Sequence, residues 1–367
     1  MISGPRWPGY GRSAILVLLC ALAGFAAACG AGATPDEAVA PPEGLAPASS
    51  VVPAGDGTEA AAPTTEPPPE AVVQLGPAEP EAVLETDPLI YVVPQDVTQG
   101  HAFLVAVDAP GAGFASIAYN GEIFTLLREG NRLFAILPVE ARTPPGPIPL
   151  VIAVADNAGR QALRIETTIT VTEATVATEV IQLDESNQAL LDPAVVREDR
   201  EIRDAVQRAL TPERHWSGLF DQPAAGVITS SFGLLRSYNF QEPNEYHSGI
   251  DFAGDNGDPV LAPNAGVVAW VGRTQRRGNS VIVDHGGGVH SSYYHLSEVL
   301  VTEGMVVVTG DPLGSIGATG LATGPHLHWE IVVHGIPVNP GQWIRDQEIP
   351  DPEGALDPEF AIGDSGP

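Results

Sequence analysis

Residues 324–333 read GPHLHWEIVV and place two histidines, His326 and His328, one residue apart at the head of an apolar, β-branched run. Side chains alternate across a strand with period two, so both imidazoles point to the same side. Either a core tolerates two neighbouring polar rings, or something sits in front of them. Two other stretches ask the same question. YHSGIDFAG sets His247 and Asp251 four apart, close enough to turn one imidazole and one carboxylate towards a common point. SSYYHLS puts His295 near the end of a strand that begins after a triple glycine. Together these residues form a mixed histidine and carboxylate set of the kind that binds Zn²⁺. Three protein ligands would leave a fourth position open to water, the mark of a catalytic site, and the remaining histidines would be free for proton transfer. Spacing alone does not separate ligand from base within HLH. His285, His290 and His334 read as structural or surface residues, and so does His101, which stands alone in the N-terminal half.

The elements that must position this set are β-rich. Residues 226–345 form the segment that carries it. Residues 87–174 hold short apolar and β-branched runs such as HAFLVAVDA, NRLFAILPV and ALRIETTITVTE, separated by Gly, Pro and Asn-Gly signals. Strands at that spacing predict a small antiparallel sandwich, and its close, IAVADNAGR followed by an alternating strand, looks like the last hairpin of a bacterial immunoglobulin-like module. With no aromatic cluster or charge patch, the module reads as a spacer rather than a binding unit. Between the two, residues 175–225 read as a linker containing one clear helix over 192–210. Asp192 can cap it, Pro193 suits its first position, Ile202, Val206, Ala209 and Leu210 share a face, and Pro212 stops it. The expected architecture is mainly β: an N-terminal sandwich and a C-terminal antiparallel domain joined by a short helix.

The chain has 367 residues and a formal charge of −29, from 46 acidic and 17 basic residues. All the basic residues are arginine. Such acidity argues against nucleic acid as a partner and against a polybasic grip on lipid. No feature of the sequence sets an oligomeric state. Residues 1–28 read as a signal peptide: Arg6 and Arg12 precede an apolar stretch over 14–28 that is too short for a comfortable membrane span. AAAC, ending at Cys29, resembles a bacterial lipobox, with alanine where leucine is usual at Ala26. Lipidation of Cys29 would anchor the chain to a membrane outside the cytoplasm; ordinary cleavage would leave it secreted. Cys20 and Cys29 are its two cysteines, so cleavage before Cys29 leaves no internal disulfide to form. Residues 29–86 are Ala-, Pro- and Glu-rich and predict a disordered, semi-stiff tether, and residues 346–367 an acidic, disordered tail.

The motifs HSGIDFAGDNGDPVLAPNAGVV, GNSVIVDHGGGVHSSYYHLS, VTEGMVVVTGDPLGSIGATG and TGPHLHWEIVVHGIPVNP resemble the lysostaphin-type, or LytM-type, zinc metallopeptidases, in one register over nearly all of 226–343. The resemblance implies a mainly antiparallel β domain with one Zn²⁺ on the floor of a groove, and hydrolysis of peptide bonds in peptidoglycan stems or cross-bridges. Carried over by motif, it makes His247, Asp251 and His328 the metal ligands and His295 and His326 the catalytic pair beside a metal-activated water. Some relatives of this kind have lost ligands and act as scaffolds or activators, but here all five positions are filled; a gated or silent wall-binding role is the alternative. A biotinyl-type carrier domain, which the glycine-punctuated hairpin at 301–317 also resembles, is excluded because it needs lysine. Gly314, Gly317 and Gly320 read as a turn set rather than a phosphate loop, since no Lys-Ser/Thr follows. Imidazoles of ordinary pKa near 6.5 would make activity fall below about pH 6.

Overall fold

The computed structural model of the chain describes Leu84, residues 87–344 and the pair Ala361–Ile362. The signal segment, Cys29, the tether apart from Leu84, which packs against the sandwich core, and the rest of the acidic tail lie outside the described residues.

The first module contains β1 (Leu89–Val93), β2 (Asp96–Thr98), β3 (Ala102–Asp108), β4 (Ala112–Tyr119), β5 (Glu122–Thr125), β6 (Leu127–Glu129), β7 (Arg132–Pro138), β8 (Gly146–Asp156) and β9 (Gln161–Thr172). They form two sheets, ordered β1-β3-β7-β6 and β2-β9-β8-β4-β5. The tail, expected to lack structure, adds the short strand Ala361–Ile362 antiparallel to β1. The two sheets close on a core of alternating residues, with Phe103, Val105 and Val107 from β3 meeting Ile117, Ile152 and Val154 from the opposite sheet.

The other face of the first sheet is buried too. Ala102, Leu104 and Ala106 of β3, with Phe134 and Ile136 of β7, join a second core that includes Trp216, Phe220, Val289 and Trp343 of the C-terminal half. That explains why HAFLVAVDA is a nearly continuous apolar run rather than an alternating one: both faces of its strand are covered. Gln342 completes the junction by donating to the Ala102 carbonyl at 2.8 Å and accepting from its amide at 2.9 Å. The sandwich is therefore a layer of one larger body, not a free spacer.

The linker differs from its expectation in three ways. It contributes a strand, β10 (Thr178–Ile181), before the short helix α1 (Glu185–Gln188) and the main helix α2 (Pro193–Gln207). Asp192 caps α2 by accepting from the Ala194 amide at 2.8 Å, and Pro193 occupies the first turn. The helix ends at Gln207, short of Leu210. Pro212 disfavours a helical Thr211, and the Thr211 carbonyl instead accepts from Gly287 N at 2.8 Å. Its buried face is also not the apolar one: Ile202 and Val206 are half-buried and Leu210 is exposed, whereas Asp199 and Gln207 are buried.

The C-terminal half contains β11 (Ile228–Ser230), β12 (Leu235–Tyr238), β13 (Glu245–Tyr246), β14 (Ile250–Ala253), β15 (Pro259–Leu261), β16 (Gly266–Thr274), β17 (Gly278–Gly286), β18 (Val289–Leu296), β19 (Glu298–Val299), β20 (Val306–Val307), β21 (Pro312–Ser315), β22 (His326–Val333), β23 (Ile336–Val338) and the short helix α3 (Pro340–Ile344). Its main sheet runs β11-β14-β22-β18-β17-β16-β20, with β23 also on β22, and all its pairings are antiparallel. Two three-stranded sheets flank it, β15-β21-β19 and β10-β12-β13. In the latter, β10 lies parallel to β12, so the linker is built into the C-terminal half. Leu327, Trp329, Ile331 and Val333 of β22 enter the core; His326, His328 and Glu330 occupy the opposite face.

Two predictions follow from this packing. Phe134→Ala, at the shared core, should cost about 3–5 kcal/mol and lower a single calorimetric transition; two separable transitions would show that the halves unfold independently. His285 is completely buried between the Ala265 carbonyl and Ser291 Oγ, each at 2.7 Å. Burial pushes its pKa down to about 4. Below the unfolded value near 6.5, the unfolded chain takes up a proton that the native ring refuses until about pH 4. This contribution to stability is complete above pH 6.5 and is lost as pH falls towards 4, on the order of 3 kcal/mol in all. Urea denaturation of His285→Gln between pH 4 and 7 should show a shallower slope than the parent; equal slopes would contradict the assignment.

Candidate metal centre

The strand register assembles the site. Asp251 of β14 lies directly opposite His328 of β22, and Tyr294 of β18 lies opposite His328 on its other edge. His247, four residues before Asp251, reaches the same point from the start of the β13–β14 connection. The three side chains are at most 8% exposed as residues.

Their hydrogen bonds fix which atoms meet. His247 Nδ1 lies 2.9 Å from the Ser231 carbonyl and 3.2 Å from Ser230 Oγ. His328 Nε2 lies 3.0 Å from Oε1 of the fully buried Glu330. A carbonyl and a carboxylate only accept, so both nitrogens carry protons. In the neutral rings the other nitrogens, His247 Nε2 and His328 Nδ1, are therefore bare lone pairs. These two are 2.8 Å apart, and Asp251 Oδ1 lies 3.0 Å from the first and 2.7 Å from the second. Three electron-pair donors converge on one point with no hydrogen among them. Burial pushes the His247 pKa down to about 4, so its Nε2 carries no proton near neutrality. A cation does. Two imidazole nitrogens and one carboxylate oxygen suit Zn²⁺, and each imidazole has the outer hydrogen bond that holds a ligating ring in its tautomer. The residues present fit the metal.

His295 and His326 flank this point. His326 Nε2 stands 4.0 Å from Asp251 Oδ1, and the His295 and His326 ring centroids are 4.8 Å apart. Each ring gives Nδ1–H to a backbone carbonyl, Thr319 for His295 at 2.7 Å and Gly324 for His326 at 2.9 Å. Nε2 is left as the free base in both. His295 reaches the site through an irregularity. Val289 and Tyr293 of β18 face the core, so an unbroken alternation would send His295 inward too. Instead the β17–β18 register shifts between Asn279 and Val281, Leu296 takes the core position, and His295 has a left-handed φ of 62°. This bulge re-aims the side chain, and a non-glycine residue in that conformation stores on the order of 1–3 kcal/mol. Burial first, then the neighbouring His326 and His328, lower the His295 pKa well below the usual value. The acid limb expected near pH 6 from an ordinary imidazole is displaced downwards for this residue.

The glycine turns now have a reason. A Cβ on Gly317 would stand 2.3 Å from Ser297 N and 2.7 Å from the His295 carbonyl, so only glycine lets this loop close over the His295 segment. That approach delivers the Thr319 carbonyl to His295.

The centre sits in a groove of about 340 Å³. One wall is the linker, through Glu179, Ile181 and Leu183; the other carries Arg276, Leu321 and Thr323. Arg236 bonds Asp251 Oδ2 at 3.2 Å and Glu179 at 3.0 Å, holding the second carboxylate oxygen away from the metal point. Sequence reasoning missed Arg236, Glu179, Thr319 and Glu330. Only Glu330 had a local signal: it stands two residues after His328, on the same strand face, as the one carboxylate in an apolar run. His285, His290 and His334 lie outside the cluster of His247, Asp251 and His328.

Residues 245–340 match the family model described as Peptidase family M23. The DD-carboxypeptidase/endopeptidase Mpg of Neisseria meningitidis serogroup B is 42% identical over 113 residues, 31% of this chain and 26% of that protein. The peptidoglycan DD-endopeptidase ShyA of Vibrio cholerae is 40% identical over 112 residues, 30% of this chain and 26% of that protein. A solved peptidase M23 structure from Pseudomonas aeruginosa is 30% identical, covering 66% of this chain and 92% of that one, with a TM-score of 0.49. The matches to these two curated relatives span about a quarter of their length. The chain thus carries, in its C-terminal half, a domain of peptidase family M23.

Proposed function

We propose that the chain is a zinc metalloendopeptidase that hydrolyses peptide bonds in peptidoglycan, with D,D cross-links as the favoured target. The observation that carries this reading is the convergence of three bare donor atoms beside two imidazoles whose free Nε2 atoms face the same groove. The target bond is supported by the curated names of the similar proteins, several of which are called DD-endopeptidases. His247, Asp251 and His328 would hold the ion. When bound there, it supplies Lewis-acid activation of water and of the scissile carbonyl. His295 or His326 accepts the proton of the attacking water at Nε2 and returns it to the leaving nitrogen. Hydrogen bonds to Thr319 and Gly324 keep the Nδ1 protons on these rings, so each presents its base without reorganising. The linker wall, lined by Ile181 and Leu183, gives an extended peptide an apolar side to lie against. We further propose an extracytoplasmic location with lipid attachment at Cys29. The signal-like segment 1–28 and the resemblance of AAAC to a lipobox support it, and a wall-directed activity requires the location.

Purified protein incubated with intact peptidoglycan should release fragments with new stem-peptide ends, read by mass. Chelation, or His328→Ala, should lower the rate more than ~100-fold; His295→Ala should lower kcat by about 10²–10⁴-fold with KM little changed. No cleavage by a folded, zinc-loaded protein across a panel of walls would move the assignment to a gated or wall-binding role.

A further inference from the structure

The polar stripe of α2 lies on the same face of the main sheet as the metal centre, further along β22 and β18. Asp199, Arg203 and Gln207 are spaced four apart and so line one side of the helix. Gln207 donates to Ser292 Oγ at 2.9 Å and to Tyr294 Oη at 3.4 Å. Arg203 Nε bonds Asp199 at 3.0 Å, and its Nη1 lies 3.6 Å from Oε2 of Glu330. Asp199 also accepts from Thr274 Oγ1 and, at 3.3 Å, from the Arg277 amide.

Glu330 is the centre of this arrangement. It is fully buried. Oε1 accepts from Arg277 Nη2 at 2.6 Å, from Ser248 Oγ and from His328 Nε2 at 3.0 Å, while Oε2 faces Tyr294 Oη at 3.4 Å and Arg203. Two guanidiniums and two carboxylates, half-buried Arg203 and Arg277 with buried Asp199 and Glu330, form a quartet of zero net charge. A buried carboxylate with one counter-charge removed is held much less firmly. The tautomer and tilt of His328 depend on the carboxylate that receives its Nε2 proton.

We propose that Arg203 of the linker helix is a positioning residue for the metal ligand His328, acting through Glu330, so that the metal centre is complete only with α2 docked. The inference rests on the functional reading above for the identity of the ion. The family match begins at residue 245 and excludes Arg203, so the linker would tune the site from outside the matched region. A linker displaced from the sheet would leave His328 in place along the chain but unlocked in its orientation.

The test uses the full chain and two variants. Asp199→Asn with Arg203→Met removes one charge of each sign and preserves neutrality. Arg203→Lys keeps the charge but loses the planar fork that reaches Asp199 and Glu330 together. Circular dichroism first establishes folding. Zinc affinity by competition with a chromogenic chelator should then fall about 10–100-fold in the double variant and less in Arg203→Lys. The visible absorption bands of the Co²⁺-substituted protein should shift in both, because the ligand field reports ligand orientation. Cleavage of peptidoglycan should lose kcat with KM unchanged. Either folded variant with parental zinc affinity and parental Co²⁺ bands would overturn the proposal while leaving the metallopeptidase reading intact. A parental chain that binds no zinc would overturn both.

Discussion

Three lone pairs within 3.0 Å of one another are the constraint around which the rest of the C-terminal half is arranged. Atoms of this kind repel unless a cation lies between them, and a folded chain brings them together only if the far side of each ring is pinned. The pins are the Ser231 carbonyl for His247 and Glu330 for His328. Arg236 performs the same service for Asp251, occupying the oxygen that the metal point does not use. Each pin needs its own support, and the supports reach outwards through Glu179 to the linker strand and through Glu330 to the linker helix. The polar network is large because the central requirement is electrostatic, and every buried charge added to meet it needs another of opposite sign.

The sandwich serves the same rigidity by other means. Its first sheet is apolar on both faces and lies between its own partner sheet and the C-terminal core. A spacer would have presented a polar outer face to water, as β9 does with its exposed Glu166 and Thr168. Instead Phe134, Trp216, Phe220 and Trp343 share one interior, and Gln342 satisfies the backbone of β3 as a neighbouring strand would. The linker between these layers is held by contacts along its length. It runs along the groove as β10, then crosses the sheet as α2, and both passages are tied by side chains close to the metal centre.

Much of the site was legible in the sequence because its signals are local. Period-two alternation places His326 and His328 on one face, and the four-residue step from His247 to Asp251 turns both side chains towards it. The β-rich character of both modules followed from alternation and turn residues, as did the cap and first turn of α2. What escaped depends on pairing between distant strands. The aim of His295 is set by a bulge that exists only in the β17–β18 register, and nothing in SSYYHLS announces it. The parallel pairing of β10 with β12 joins segments more than fifty residues apart, and TEVIQL reads equally well as an extended linker. The buried face of α2 escaped because hydrophobic periodicity marks only the apolar stripe of a helix. This helix buries Asp199 and Gln207 and half-buries Arg203, since the surface it covers already contains a carboxylate in need of a partner.

The absence of lysine acquires a physical meaning around the same centre. The chain has 17 arginines against 46 acidic residues, and four of the arginines, Arg203, Arg236, Arg276 and Arg277, are paired with carboxylates in or beside the groove. A buried lysine can shed its proton and leave its partner uncompensated, whereas a guanidinium stays charged at any pH the protein meets. Its fork also engages two carboxylates at once, as Arg236 does by a hydrogen bond to Asp251 and ion pairing with Glu179, and Arg203 by a hydrogen bond to Asp199 and an ion pair with Glu330. Interleaved carboxylates and guanidiniums keep the neighbourhood of the metal point close to neutral inside a strongly acidic protein. That balance makes the site's electrostatics local: the three donors face the cation under a field set by their own partners rather than by the surplus charge of the surface.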